Sequence, residues 1–82
     1  MTIYDKVREV AASVFGISSA DISDDTSPSN TQNWDSLAQM KLILALEEQF
    51  EVEFSLQQIE EMKEIRIIVT IIKDLLSEVR TG

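Results

Sequence analysis

The stretch Asn33-Trp34-Asp35-Ser36-Leu37, which runs on to Leu44-Ala45-Leu46-Glu47-Glu48-Gln49-Phe50, decides how this chain reads. Asp35 is a good N-cap, because its carboxylate can accept hydrogen bonds from the unpaired N–H groups of a first helical turn. Ser36 then becomes the first residue inside a helix, with its hydroxyl pointing outward from a rigid corner. The spacing predicts a helix over 36–50, with Leu37, Met40, Leu44 and the interleaved Ile43, Leu46 and Phe50 facing the core and Glu47 and Glu48 facing water. By itself an Asp-Ser pair is a common helix start, and the plainest reading of Ser36 is that it is only that.

Upstream, Thr2 followed by Asp5 approximates a capping box ahead of Ile3, Val7, Val10 and Val14 at helical spacing. Residues 2–15 read as a first helix, its stripe widened by Tyr4, Ala11 and Phe15, with Asp5, Lys6, Arg8 and Glu9 mostly outside. Gly16 ends it, as a residue that tolerates the left-handed conformation. From Ile17 to Asn33 the chain is rich in Ser, Asp, Asn and Thr and carries its single proline, Pro28, so it reads as a long loop with one helical turn near Ser18 to Asp21. A loop of this length needs anchoring, and Ile17 and Ile22 can turn inward to pin its first half. Asp21-Ile22-Ser23-Asp24-Asp25 superficially suggests a calcium loop, but Thr26 stands where a glycine is required and Gln32 where a bidentate glutamate is required. A solvated acidic loop is the preferred reading, with weak divalent-cation binding as the alternative.

Downstream, Val52 and Phe54 alternate with Glu51 and Glu53, yet a single short strand would have no partner, so the segment reads as a loop that buries two side chains. Ser55-Leu56-Gln57-Gln58 is a second capping-box match, and Leu56, Ile59 and Met62 give a short third helix. A last helix over about 64–79 carries Ile65, Ile68, Val69, Ile72, Leu75, Leu76 and Val79 at core spacing. Ile67 and Ile71 lie off the centre of that stripe: either the helix is nearly surrounded, which is the preferred reading, or it leaves an apolar edge for a partner. The fold class is all-α, a four-helix bundle with three longer helices, one short third helix and a long loop between the first two.

The 82 residues are read as one domain over 1–82, with a core near the lower limit of what holds a chain together without staples. There is no cysteine to add a disulfide or a thiolate metal site, and no histidine, so the commonest general base and the best thiol nucleophile are both missing. A free-standing enzyme is not expected. A net charge of −8, from fifteen acids against seven bases, argues against a phosphate backbone as partner and favours basic protein surfaces, although a merely solvated acidic surface explains the same number. No apolar run approaches the ~18 to 20 residues that span a bilayer, and no charged region followed by an apolar one opens the chain, so a cytoplasmic protein without a leader is expected.

Asp35-Ser36-Leu37 followed by the Leu44–Phe50 run, in an acidic helical chain with the serine slightly before its middle, resembles the acyl carrier proteins. The resemblance implies that Ser36 is an anchor for a covalent 4′-phosphopantetheine arm, attached from coenzyme A by a phosphopantetheinyl transferase, with Asp35 helping to hold the magnesium ion of that reaction. It would explain the missing cysteine, since the reactive sulfur arrives with the arm. It also implies an acyl pocket between the second, third and fourth helices, whose matching positions are Ile43, Leu46, Phe50, Phe54, Ile59, Met62, Ile68 and Ile71. Ile59 and Ile68 stand where the family often has alanine and fill volume a guest would use. The implied pocket is therefore small, and the cargo short, polar or held outside. Partners would be acyl-transferring or ketosynthase-type enzymes with basic docking patches, meeting a monomer on a surface of Leu37, Ala38, Lys41, Glu47 and Glu48, without nucleic acid or a membrane span.

The chain also departs from that family. Ala38 and Lys41 occupy places where carriers of fatty-acid synthesis have acids, which alters the charge nearest the arm and points to a specialised pathway. Pro28-Ser29-Asn30-Thr31-Gln32-Asn33 replaces more apolar loop residues, leaving Trp34 either to pack the loop against the bundle, the preferred reading, or to stand beside the arm as a partner contact. The last helix lacks the family's threonine cap and has Glu64 and Ile67 near its start. The reading kept against the carrier is an unmodified acidic helical interaction module.

Overall fold

Hydrogen-bonding side chains set where the helices start. The structure, a computed structural model, describes residues 2–31 and 33–81, with side chains through Ser77. Gln32 and the Val79 side chain, both used in the sequence reading, lie outside the described residues. Helix α1 runs Ile3–Phe15 behind Thr2, whose hydroxyl accepts from the Asp5 N–H while the Asp5 carboxylate accepts from the Thr2 N–H, so the capping box forms with Asp in the acidic position. Gly16 closes α1 at φ 71°, where its N–H and that of Ile17 both reach the Ala12 carbonyl. Helix α2 spans Ser36–Phe50, α3 Leu56–Glu61 and α4 Ile65–Thr81, and a 3-10 turn at Ser19–Asp21 interrupts the long loop. Among the described residues there is no strand; Val52 and Phe54 sit in a link, Phe54 buried and Val52 half-buried.

Helix α1 packs against both α2 and α4. The shared core is built from Val7, Ala11 and Phe15 of α1, Leu42 and Leu46 of α2, Met62, and Ile65, Ile68 and Ile72 of α4. Ile71 is buried and Ile67 half-buried, so the extra width of α4's apolar face is core rather than a free edge.

Among the described residues, no polar side chain caps the start of α4. Instead the loop supplies two backbone carbonyls: Thr26 O accepts from the Ile65 N–H at 3.0 Å and Asp24 O from the Arg66 N–H at 2.9 Å. These satisfy orphan donors of the first turn, and they stitch the acidic loop across the end of the bundle. Thr26 is buried for the same purpose, its hydroxyl accepting from the Ser23 N–H at 2.8 Å.

Helix α2 departs from its expected orientation. Leu37, Met40 and Leu44, expected in the core, are 61%, 63% and 64% exposed, while Ala38, Leu42, Ile43 and Leu46 are buried. The helix is apolar around much of its circumference, so two stripes compete: 37, 40, 44 and 38, 42, 46 are both at helical spacing. The stripe with alanine at its head faces inward. Val14 and Phe15 of α1 line a cleft together with Ala38, where a larger side chain would hold the two helices apart. Leu56, at the first position of α3, is 73% exposed.

Candidate functional site

Asp35 fixes the corner on which Ser36 stands. Its backbone is extended, its Oδ1 accepts from the Ala38 N–H at 2.9 Å, and its carbonyl accepts from the Gln39 N–H at 2.9 Å. Ser36 is thereby held as the first residue of a 15-residue helix, exposed to solvent. Of the N–H groups in this turn, those of Ser36 and Leu37 have no acceptor among the described residues. Together with the helix dipole they favour an anion at the serine.

The residues before the corner are tied down by polar contacts and one large ring. Asn33 donates from Nδ2 to the Phe15 carbonyl at 2.9 Å, so the loop is fastened to the last turn of α1. Trp34 is only 3% exposed, and its ring lies 5.0 Å from that of Phe15 between centroids. The preferred packing role is therefore the one the ring has, and it is not a free partner contact. The indole Nε1–H donates to Gln39 Oε1 at 2.6 Å, and Gln39 Nε2 donates in turn to the Met62 carbonyl at 3.2 Å. Farther back in the loop, the Ser23 hydroxyl donates to the Asp25 carboxylate at 2.7 Å. That bond, helped by the Arg66 charge, holds Asp25 below the usual carboxylate range.

A cleft of about 410 Å³ opens beside Ser36, lined by Trp34, Asp35, Gln39, Ile59, Met62 and Lys63 among others. Its size lies within the range of small-molecule sites. Of the pocket positions expected from sequence, Ile59 and Met62 reach this cleft. Ile43, Leu46, Phe54, Ile68 and Ile71 are buried in the core and Phe50 is half-buried against it. Gln39, Lys63 and Pro28 line the cleft although sequence reasoning did not single them out. Gln39 carried a usable signal, since it lies three residues after Ser36 and so on the same helical face; Lys63 carried none, because it arrives from the link after α3.

The expected partner surface is also altered. Leu37 and Lys41 are exposed, as is Glu48, but Ala38 is buried behind the cap and is not available as surface. Glu47, expected in water, is half-buried because its Oε2 accepts from the Phe54 N–H at 3.0 Å, which holds the link that leads into α3.

A family profile described as the phosphopantetheine attachment site matches residues 5–72. The chain belongs to the acyl carrier protein family. It is 30% identical over 73 residues to the acyl carrier protein of Chlamydia caviae, covering 89% of this chain and 95% of that one. With the acyl carrier protein of Clostridium acetobutylicum the identity is 31% over 71 residues, 87% and 92% of the two chains. Among solved structures, the holo acyl carrier protein of Geobacter metallireducens superposes with a TM-score of 0.87 at 24% identity, over 100% of this chain and 94% of that one. The acyl carrier protein of Enterococcus faecalis gives a TM-score of 0.72 at 26% identity, over 92% and 99%. Acyl carrier proteins carry a covalently attached 4′-phosphopantetheine, receive it from a phosphopantetheinyl transferase, and serve biosynthetic enzymes as carriers rather than catalysts. No helix among the described residues is long and apolar enough to cross a membrane.

Proposed function

We propose that Ser36 is the attachment residue and that this acyl carrier protein presents short or polar acyl groups, held outside the bundle, to enzymes of a specialised pathway. One observation carries the reading: an exposed serine at the capped start of α2, next to a cleft, inside the segment matched by the attachment-site profile.

The surroundings suit a phosphodiester at Ser36 Oγ. The free N–H of Leu37 and the positive end of α2 favour its charge, and Lys63 contributes a cation to the same cleft. The second carboxylate oxygen of Asp35 has no partner among the described residues, which leaves it for the magnesium ion used during attachment. The arm itself supplies a terminal thiol that holds the acyl group as a thioester. Everything else asked of the protein is presentation: a fixed corner and a wall of Trp34, Ile59 and Met62 beside it.

The cargo reading rests on Ile68, fully buried in the core, and on Ile59, half-buried against that core. The pathway reading rests on charge. In a chain of net charge −8, the exposed residues Leu37, Met40, Lys41 and Leu44 form a patch whose only charge is positive. Partners with a basic patch would find their match lower down, at Glu48, Glu60 and Glu61, and meet Lys41 near the arm with repulsion.

Incubation with coenzyme A, magnesium and a broad-specificity phosphopantetheinyl transferase tests the attachment. The wild-type chain should gain the phosphopantetheine mass and Ser36→Ala should not; a wild-type chain that gains nothing favours the unmodified interaction module instead.

A further inference from the structure

Gln39 occupies the first position below Ser36 on the face of α2 that looks toward α3. Ser36, Gln39, Ile43, Leu46 and Phe50 follow one another along that face at helical spacing. Along that face of α2, a chain that grew from Ser36 into the bundle would meet Gln39 before Ile43.

Both ends of the Gln39 amide are engaged. The Trp34 indole can only donate and the Met62 carbonyl can only accept, so the amide is fixed with Oε1 toward Trp34 and Nε2 toward Met62. Loop, α2 and the end of α3 are joined by this one group. Helix α3 itself is six residues long with none of them buried, and its apolar anchors are the half-buried Ile59 and the buried Phe54 and Met62 on either side of it. Its other polar contacts are local, a capping box at Ser55 and the Met62 N–H on the Ile59 carbonyl.

We propose that Gln39 is a specificity-determining latch: its bridge from Trp34 to Met62 holds α3 down on α2, shuts the way from Ser36 into the core, and keeps acyl cargo in the outer cleft. The inference rests on attachment at Ser36 and adds to it the residue that sets which cargo lengths are sheltered. A short acyl group reaches only the outer cleft and is indifferent to the latch. A long one is sheltered only when the bridge to Met62 is broken and α3 can lift.

Two variants separate the halves of the bridge. Gln39→Glu keeps an acceptor for the Trp34 indole but has no hydrogen to give Met62, whereas Gln39→Ala removes both. The chain and each variant are loaded with butyryl- or dodecanoyl-phosphopantetheine from the matching acyl coenzyme A, and intact mass confirms the load. Ile43 and Leu46 methyl resonances and the rate of thioester cleavage by hydroxylamine are then recorded. The latch predicts that dodecanoyl leaves those methyls unmoved in the wild type. In Gln39→Glu it should shift them and slow cleavage about tenfold, with butyryl forms alike throughout and the Trp34 indole resonance retained. Dodecanoyl already inside the wild type, or no gain in either variant, overturns the proposal. In the unloaded chain, amide exchange at Ile59 and Met62 should speed up about tenfold in Gln39→Glu while α1 is unchanged. Unchanged exchange at those amides overturns the latch whether or not Ser36 accepts an arm, and failure to load counts against the attachment reading alone.

Discussion

The two flanks of Ser36 are built in opposite ways. Before it, a segment that is polar in sequence is held in place; after it, a helix that is apolar in sequence turns three large side chains to water. Thr26 and Trp34 on the loop side are buried, and Asn33 is bonded to the end of α1, whereas Leu37, Met40 and Leu44 on the helix side are mostly exposed. The difference teaches that order at this corner comes from where hydrogen-bonding groups find partners, and that exposure is not decided by polarity residue by residue. The rigid half positions the serine, and the uncovered half is left for whatever docks on it.

The contrast is most easily broken at Trp34. Trp34→Ala removes a buried ring stacked near Phe15 and leaves Gln39 Oε1 without its donor, so the stability measured by urea unfolding should fall by about 3–5 kcal/mol. A loss under about 1 kcal/mol would mean that the loop is not part of the cooperative fold.

Asp35→Ala and Asn33→Ala test the polar ties on either side of the ring. Each should cost about 1 kcal/mol, the first by uncapping α2 and the second by leaving the Phe15 carbonyl without its donor. Amide exchange should locate the damage in the first turn of α2 for Asp35→Ala and at the end of α1 for Asn33→Ala.

On the uncovered flank, Leu37→Ala, Met40→Ala and Leu44→Ala should each change stability by no more than about 0.5 kcal/mol, as substitutions away from packing do. Leu37→Ala should nevertheless slow loading by the transferase several-fold, because exposed apolar side chains beside the proposed attachment residue are candidates for partner contact. A large stability loss at any of the three would return them to the core and erase the comparison.

The smallest effect concerns the fully exposed Asp25. Its carboxyl is held below the usual range chiefly by the Ser23 hydroxyl, so its stabilising contribution is complete above the ordinary carboxylate pKa and is lost as pH falls through the depressed value. Ser23→Ala should raise the Asp25 titration toward the ordinary value, as followed by carboxyl carbon shifts. No movement would assign the depression to the Arg66 charge and the Asp25 backbone instead.

Much of this was legible before the fold was known. The caps at Thr2, Asp35 and Ser55, the stop at Gly16 and the span of α2 follow from local chemistry that acts within four residues, and the structure has them where the sequence predicts. Partners brought from far along the chain were not legible. Nothing in the sequence announces that Asp24 and Thr26 carbonyls cap α4, that Glu47 holds the Phe54 N–H, or that Gln39 joins Trp34 to Met62. The inner stripe of α2 was misread for a related reason. Periodicity admits two apolar faces there, and the choice between Leu37, Met40, Leu44 and Ala38, Leu42, Leu46 is made by how closely α1 can approach. At the site, Ser36 and Asp35 were evident from their motif, while the cleft's Lys63 and Pro28 come from segments without any motif.

The central claim, that the arm is carried by Ser36 and by no other hydroxyl, is tested most directly by fragmenting the modified chain. After loading, the tryptic peptide that ends at Lys41 also contains Ser13, Ser18, Ser19, Ser23, Thr26, Ser27, Ser29 and Thr31, so one spectrum weighs Ser36 against eight other hydroxyls. The account predicts that the phosphopantetheine mass lies entirely on fragments that include Ser36. The same mass on fragments that end before Asp35 would contradict it.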